Sequence, residues 1–323
     1  MRRIGCLFLL AAAIVTILFA GNYIYGWNAS GPLEDQRTIV IKSGSSLASA
    51  ANLMEAEGII KSADAFLSRA KILGGPEPIK AGEFEIPAGA SNAQILDILQ
   101  GGKSVQRLVT VPEGTPSIIV YEKLMAEKLL KGDIPVPVEG SILPDSYSFE
   151  RGEQRSDVLM RMQNAMRDTL AELWPTRTKA SVVKTPEEAI ILASIVEKET
   201  ALARERRTVA AVYSNRVRMN MMLQADPTII YPITRGKPLG RRIRQSEIAQ
   251  VNDYNTYAMV GLPKGPIANP GRASIEAVLN PAKSDALYFV ADGKGGHIFA
   301  KTLKEHNRNV EKWFAIRRAR GEM

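Results

Sequence analysis

The sequence predicts an α+β protein in three parts: an N-terminal transmembrane helix, a small α+β region, and a larger, mostly helical α+β domain. Three observations carry this. An uncharged apolar run opens the chain, a strand, glycine turn and helix pattern then recurs, and helical apolar spacing dominates the remainder of the chain. The expected boundaries fall at 1–27, 28–115 and 116–323.

From Ile4 to Ala20 no residue is charged, and apolar or small residues continue through Tyr23, Ile24, Tyr25 and Trp27. That length meets the roughly 20 residues a bilayer core requires. Arg2 and Arg3 precede the run, and Glu34 and Asp35 are the first charges after it. The positive-inside rule therefore places the N-terminus in the cytoplasm and the rest of the chain outside it, with Tyr23, Tyr25 and Trp27 in an interfacial aromatic belt. A cleaved signal peptide has the same order of regions, and Ala20-Gly21 offers small residues. The uncleaved anchor is preferred, because the aromatic stretch comes directly after the run and no Ala-x-Ala site is present.

Three stretches share one pattern: Ile39-Val-Ile-Lys-Ser-Gly44-Ser-Ser, Phe84-Glu-Ile-Pro-Ala-Gly89-Ala-Ser and Val109-Thr-Val-Pro-Glu-Gly114-Thr-Pro. In each, apolar residues two apart precede a glycine turn and a Ser or Thr able to cap a helix. Leu47, Ala51, Leu53 and Met54 supply the apolar face of the first helix, and Ile95, Leu96, Ile98 and Leu99 that of the second. From about 130 to 153 the prolines and Glu139-Gly-Ser predict loop. Beyond it Val158, Met162 and Met166 share one helical face, as do Val209, Val212, Tyr213 and Val217, and both are expected in the core. Ala286 to Ala291 predicts a buried strand, His297 to Ala300 a second one after the Asp292-Gly-Lys-Gly-Gly296 turn, and Leu303 to Arg318 a closing helix.

Composition excludes several functions. A chain of 323 residues with 45% hydrophobic and 24% charged residues can bury a core and is not disordered. Its one cysteine, Cys6, lies in the apolar run, so neither a disulfide framework nor a cysteine-based zinc site is expected. His297 and His306 are the only histidines and have no metal-ligand spacing, so no metal and no cofactor are expected. The net charge of +8 permits an anionic partner. The arginines from Arg204 to Arg218, and Arg317, Arg318 and Arg320, come without aromatic interleaving or a Cys/His finger, which favours a solvated basic face over nucleic-acid binding.

The segment Thr185-Pro-Glu-Glu-Ala-Ile-Ile-Leu-Ala-Ser-Ile-Val-Glu-Lys-Glu-Thr200 carries the most chemistry. Thr185 as cap, Pro186 in the first turn and Glu188 three residues on predict a helix start. Three and four positions from Glu199 stand Ile195, Val196, Leu202 and Ala203, all apolar if the helix continues past Thr200. Around Glu197 stand Ala193, Ser194, Thr200 and Ala201, all small and half of them polar. A carboxyl on an apolar face has a raised pKa, as a general acid near neutral pH requires. The alternative is a buried structural glutamate neutralised by Arg204, Arg206 or Arg207. Other patterns are poorer: Ser68-Arg-Ala-Lys71 lacks its companion motifs, and Gly102-Lys-Ser104 lacks the leading glycine of a phosphate loop, where Asp97 stands.

Several ordered blocks carry a family resemblance: Ile191 to Thr200, Leu223-Gln-Ala-Asp-Pro-Thr-Ile-Ile-Tyr231, Tyr254-Asn-Thr-Tyr257, Gly261-Leu-Pro-Lys-Gly-Pro-Ile-Ala-Asn-Pro-Gly271 and Tyr288 to Phe299. They closely resemble the MltG endolytic murein transglycosylases, also called the YceG-like family. Pro144-Asp-Ser-Tyr147 departs from the family's Pro-Asp-Thr-Tyr by a change that keeps the hydroxyl. The first strand, Gly-Ser-Ser-Leu turn and helix resemble a LysM module, a carbohydrate-binding unit; an ordinary positioning unit is the alternative.

The family resemblance implies cleavage of the β-1,4 bond between N-acetylmuramic acid and N-acetylglucosamine within peptidoglycan strands, leaving 1,6-anhydromuramyl ends, with Glu199 as acid/base and no cofactor. It implies that Gln224, Asp226, Asn255 and Tyr257 surround the glycan cleft. It also implies an enzyme held in the bacterial inner membrane by its lipid-embedded helix, acting on nascent strands beside a peptidoglycan synthase. A hydrolase needs a second carboxylate about 5–5.5 Å or about 6.5–9.5 Å away, for which Asp226, Asp292 and Glu197 are candidates. A non-catalytic wall-binding protein is the other alternative.

Overall fold

The computed structural model describes residues 2–42, 44–102, 105 and 107–321, the chain dividing into two compact units, Met1–Arg107 and Leu108–Met323. Lys103 and Ser104, the pair resembling the end of a phosphate loop, lie outside the described residues, as do the side chains of Arg2, Arg3 and Cys6. Among the described residues the fold mixes helices with three two-stranded sheets.

The first unit opens with α1 (Arg2–Asn28), in which Leu10–Asn28 has a mean hydropathy of 1.5. It is long and apolar enough to cross a membrane. The end of the helix has another role. Trp27 is buried against Phe66, ring centroids 5.8 Å apart, and the Tyr23 hydroxyl lies 3.0 Å from Ser68 Oγ. Of the three residues expected in an aromatic belt, Trp27 is therefore a core residue and Tyr23 is tied to Ser68, while Tyr25 is exposed.

After α1 come β1 (Arg37–Ile41), α2 (Leu47–Ala56), α3 (Ala63–Leu73), β2 (Gly82–Ile86) and α4 (Asn92–Gly101). The strands pair antiparallel with Ile39 opposite Phe84, and period-two alternation turns Ile39, Ile41, Phe84 and Ile86 inward onto Met54, Ile95 and Leu99. Ser46 caps α2 by accepting from Ser49 N, and Ser91 and Gln94 form a reciprocal capping box on α4. Leu53 departs from expectation and is 39% exposed. Ala50, Ala51 and Met54 share the inward stripe, and Leu53, two residues past Ala51, turns to the far side.

The second unit holds β3 (Arg107–Thr110), α5 (Ser117–Ala126), β4 (Ser146–Phe149), α6 (Arg155–Leu173), α7 (Pro186–Glu199), α8 (Ala203–Arg218), α9 (Asp226–Thr234), α10 (Gln245–Ile248), α11 (Arg272–Leu279), β5 (Tyr288–Ala291), β6 (His297–Ala300) and α12 (Leu303–Ala319). Helix α7 is the hub. Leu192, Ala193, Ile195 and Val196 are fully buried and cluster with Val209 and Tyr213 of α8 and with Ile275 and Val278 of α11. Val158 and Met162 of α6 are fully buried in a neighbouring cluster, as their spacing predicts. Strand β4 lies in the stretch expected to be loop and pairs with β3. Strand β5 is half-buried rather than buried, because its sheet has only β6 as partner, Phe289 facing Phe299.

The strand, turn and helix pattern forms all three times, with Gly44, Gly89 and Gly114 at φ of 79°, 66° and 71°, a region costly to side chains with a Cβ. In the third copy Thr115 does not cap the helix. Its hydroxyl donates to Pro112 O, and Glu139 Oε1 accepts from Ser117 N at 2.8 Å instead. Fully buried Asn269 locks this corner: Oδ1 accepts from Ile142 N at 3.0 Å, and Nδ2 donates to Thr115 O at 2.9 Å. Asn269→Ala leaves the Ile142 amide orphaned, which costs about 2 kcal/mol. Urea unfolding should show a lower midpoint at unchanged slope, and an unchanged midpoint would contradict the assignment of Asn269 as a lock.

Candidate active site

The sequence of α7 explains why a carboxyl ends up where this one does. Thr185 Oγ1 accepts from Glu188 N, Pro186 enters at the first turn, and the residues from Ala189 to Val196, all buried but Ile191, anchor the helix in the core. The helix stops at Glu199. Thr200 is extended (φ −145°, ψ 128°), so Leu202 and Ala203 are not helical neighbours of Glu199, contrary to the assumption of a continuing helix. The burial of Glu199 comes from elsewhere in the fold, and its surroundings are more polar than its helical spacing suggested.

Glu199 is delivered by α7 into a cavity of about 310 Å³. Helix α8 contributes Tyr213 and Arg216, and the segment leading into α9 contributes Leu223, Gln224 and Asp226. Tyr257, Phe289 and His306 complete the wall. Burial is the main cause that pushes the Glu199 pKa up to about 7, reinforced by the charge of Asp226 and opposed by a hydrogen bond from Tyr213 and by the Arg216 cation. Burial, then the Glu199 charge, raises the Tyr213 pKa well above the phenol range, so this hydroxyl stays a donor. Tyr257 Oη donates to Asp226 Oδ1 at 2.6 Å, and burial followed by that bond raises its pKa too. Burial and Arg216 push His306 down, toward the neutral imidazole.

Gln224, Asp226 and Tyr257 thus come together with Glu199, whereas Asn255 does not line the cavity. It is fully buried, and its Nδ2 donates to Ile248 O at 2.9 Å and Gln250 O at 2.6 Å while Oδ1 accepts from Tyr257 N at 3.0 Å. Its amide is consumed in holding the loop that carries Tyr257. Next to it, the Thr256 and Thr228 hydroxyls lie 2.9 Å apart, and Ala225 N donates to Thr256 Oγ1 at 3.0 Å, which fixes that loop to the start of α9. Gln224 itself is held at φ 52°, a conformation rare outside glycine and asparagine.

Glu197 has a different surrounding. Its Oε2 accepts from Gly271 N at 2.9 Å and its Oε1 lies 3.8 Å from Arg206 Nη2, so it is a structural tie. Asp292 accepts from Lys294 N at 2.6 Å and Gly296 N at 2.9 Å and closes its own turn. Of the three candidate second carboxylates, Asp226 is the one in the cavity. The arginines proposed to neutralise Glu199 do other things: Arg206 pairs with Glu197 and Glu113, and Arg207 Nε donates to Asn280 O at 2.7 Å.

Sequence reasoning took Tyr213 for core and Arg216 for a solvated face. Arg216 is only 8% exposed. Its signal was present, since it stands three residues after Tyr213 and seven after Val209, inside the apolar stripe of α8. His306 and Phe289 carry no local signal; only the packing of β5 and α12 brings them here.

A carboxyl poised near neutral pH beside a second carboxylate, in a cavity flanked by buried phenols, is equipment for general acid–base chemistry. The chain belongs to the YceG-like family, whose sequence profile matches residues 39–312. It is 29% identical over 335 residues to the endolytic murein transglycosylase of Bacillus subtilis strain 168, covering 93% of this chain and 92% of that one. The endolytic murein transglycosylase of Streptococcus pneumoniae D39 is 29% identical over 352 residues, covering 92% of this chain and 63% of the longer relative. A crystal structure of a YceG-like protein from Listeria monocytogenes matches with a TM-score of 0.52 at 27% identity, over 85% of this chain and 98% of that one.

The raised pKa of Glu199 has a stability consequence of defined sign. A folded-state pKa near 7, above the ordinary 4.5, favours the fold fully below pH 4.5, and that contribution is lost as pH rises through 7. Relative to wild type, Glu199→Gln should gain stability between those limits, reaching on the order of 3 kcal/mol above pH 7. Urea unfolding of both proteins at pH 5 and pH 8 checks this, and a pH-independent difference would refute the shift.

Proposed function

We propose that this chain is a membrane-anchored lytic transglycosylase of peptidoglycan that cleaves the N-acetylmuramic acid β-1,4 N-acetylglucosamine bond inside glycan strands. The observation that carries the proposal is the Glu199 carboxyl, half-buried in the cavity with its pKa raised to about 7, in a chain of the YceG-like family. Protonated Glu199 gives its proton to the glucosamine oxygen as the bond from muramyl C1 to that oxygen breaks. The resulting carboxylate takes the proton of the muramyl C6 hydroxyl as O6 bonds to C1. The product is a 1,6-anhydromuramyl end, and Glu199 returns to its starting state without a cofactor. The names of the Bacillus and Streptococcus relatives support an endolytic cut in murein.

The apolar helix α1 serves as a single-pass anchor with the N-terminus in the cytoplasm and the second unit outside the inner membrane, where nascent strands and their synthases are found. Residues 28–115 form a LysM-like α+β region, with glycan binding or a positioning role as its two readings, and 116–323 the catalytic domain; β1 and α2 support the former likeness, since they are elements that carry the resemblance.

Asp226 keeps a hydrolytic reading in play, because it shares the cavity and a retaining or inverting hydrolase works with two carboxylates. Mass spectrometry of purified strands digested by the enzyme decides between them. Anhydro ends are expected, from Asp226→Asn as well as from wild type, and no product from Glu199→Gln; hydrated reducing ends, about 18 Da heavier, would reject the lyase reaction. The pH profile supplies a further check. With Glu199 as acid, kcat/KM should fall as pH rises through about 7, and a profile flat from pH 6 to pH 8 would count against it.

A further inference from the structure

Arg216 is a buried cation whose hydrogen-bond acceptors are all neutral. At 8% exposure it forms no ion pair with a carboxylate among the described residues. Its Nε donates to Leu287 O at 2.7 Å, and its Nη1 donates to Leu223 O at 2.8 Å and Met222 O at 3.2 Å. The guanidinium also stacks over the Tyr288 ring, 5.2 Å from its centroid. Three backbone carbonyls, the Gln224 side-chain oxygen at 3.4 Å from Nη1 and a ring hold the group in a fixed orientation, while Nη2 makes no hydrogen bond among the described residues. Taking a guanidinium out of water without a counter-ion is costly. Such a group persists where a negative charge forms nearby.

We propose that Arg216 is a positioning residue that stabilises the Glu199 carboxylate in the interval between proton donation and proton recovery. This rests on the role of Glu199 proposed above. In that interval Glu199 must carry a full charge in a half-buried site. A fixed cation then offsets the desolvation that keeps the carboxyl protonated in the resting enzyme. The other groups facing Glu199 are Tyr213 beside Arg216 on α8, Asp226 at the start of α9, Tyr257 on its loop and His306 on α12. Tyr213 donates a hydrogen bond to the carboxylate, and Asp226 repels it. His306 is driven toward neutrality, so Arg216 is the one permanent cation of the set.

The test is the pH dependence of kcat and kcat/KM for the full-length enzyme in detergent on purified glycan strands. Arg216→Gln removes the charge but keeps an amide able to donate to the same carbonyls. It should lower kcat by roughly tenfold or more and move the alkaline limb of kcat/KM up by about one pH unit, the sign expected on removing an opposite charge. Arg216→Lys keeps a charge on a shorter, unforked arm and should move the limb in the same direction by a smaller amount. A limb that stays in place in both variants, or in Arg216→Lys alone should Arg216→Gln not fold, overturns the proposal, as does a limb that moves down. A lower kcat with an unmoved limb assigns Arg216 to packing. The underlying assignment fails separately, if Glu199→Gln keeps its activity or the wild type has no limb near pH 7.

Discussion

The candidate site depends on one constraint: a carboxyl must be carried to the end of an apolar helix and left there without an ion-pair partner on its own helix. Helix α7 meets it by burying every residue from Ala189 to Val196 except Ile191 and stopping at Glu199, where Thr200 turns the chain away. The same burial that anchors the helix desolvates its last residue, so packing and acidity have a common cause. Two residues earlier, Glu197 has a backbone amide and Arg206 for company and is consumed in structure. Two glutamates separated by a single lysine are thereby given different work by what the surrounding elements bring to each.

Much of the remaining unit keeps the groups around that carboxyl in place. The buried hydroxyl pair of Thr228 and Thr256 and the amide of Asn255 join the loop bearing Tyr257 to the helix that starts at Asp226. The left-handed Gln224 lies between Leu223, whose carbonyl accepts from Arg216, and Asp226. Strained backbone of this kind persists where its surroundings over-determine it. On the other side, Phe289 packs edge-on to Tyr213 with centroids 6.0 Å apart. His306 stacks on Tyr288 at 5.2 Å, so the β5–β6 hairpin and α12 close the cavity with aromatic surface.

Local signals were the ones sequence could supply. The three glycine turns, the capped start of α7 and the core stripes of α6 and α8 are written in residues within a few positions of one another, and each is found in the structure. Glu199 was singled out partly on a helix assumed to run on, and its desolvation comes instead from burial in a cavity whose wall mixes Tyr213, Leu223 and Phe289 with polar and charged groups. Strand β4 was missed because four residues among prolines give too short a period to register. Arg216 was passed over because composition treats an arginine as solvated, although its place in the α8 stripe pointed inward. Asn255 stands beside Tyr257 in sequence, yet its side chain turns to backbone carbonyls, a distinction no motif contains. Trp27 was assigned to a membrane interface on order alone, while its ring packs on Phe66, which lies thirty-nine residues further along the chain.

The most direct test is to titrate Glu199 itself. Glutamate side-chain carboxyl carbons labelled with carbon-13 can be followed by NMR from pH 3 to pH 9, the Glu199 resonance being identified by its loss in Glu199→Gln. A midpoint near 7 is the expected result, with Glu199 the acid that burial prepares. A midpoint at or below the ordinary value of 4.5 would mean that the carboxyl is ionised throughout, and Glu199 could not serve as the proton donor.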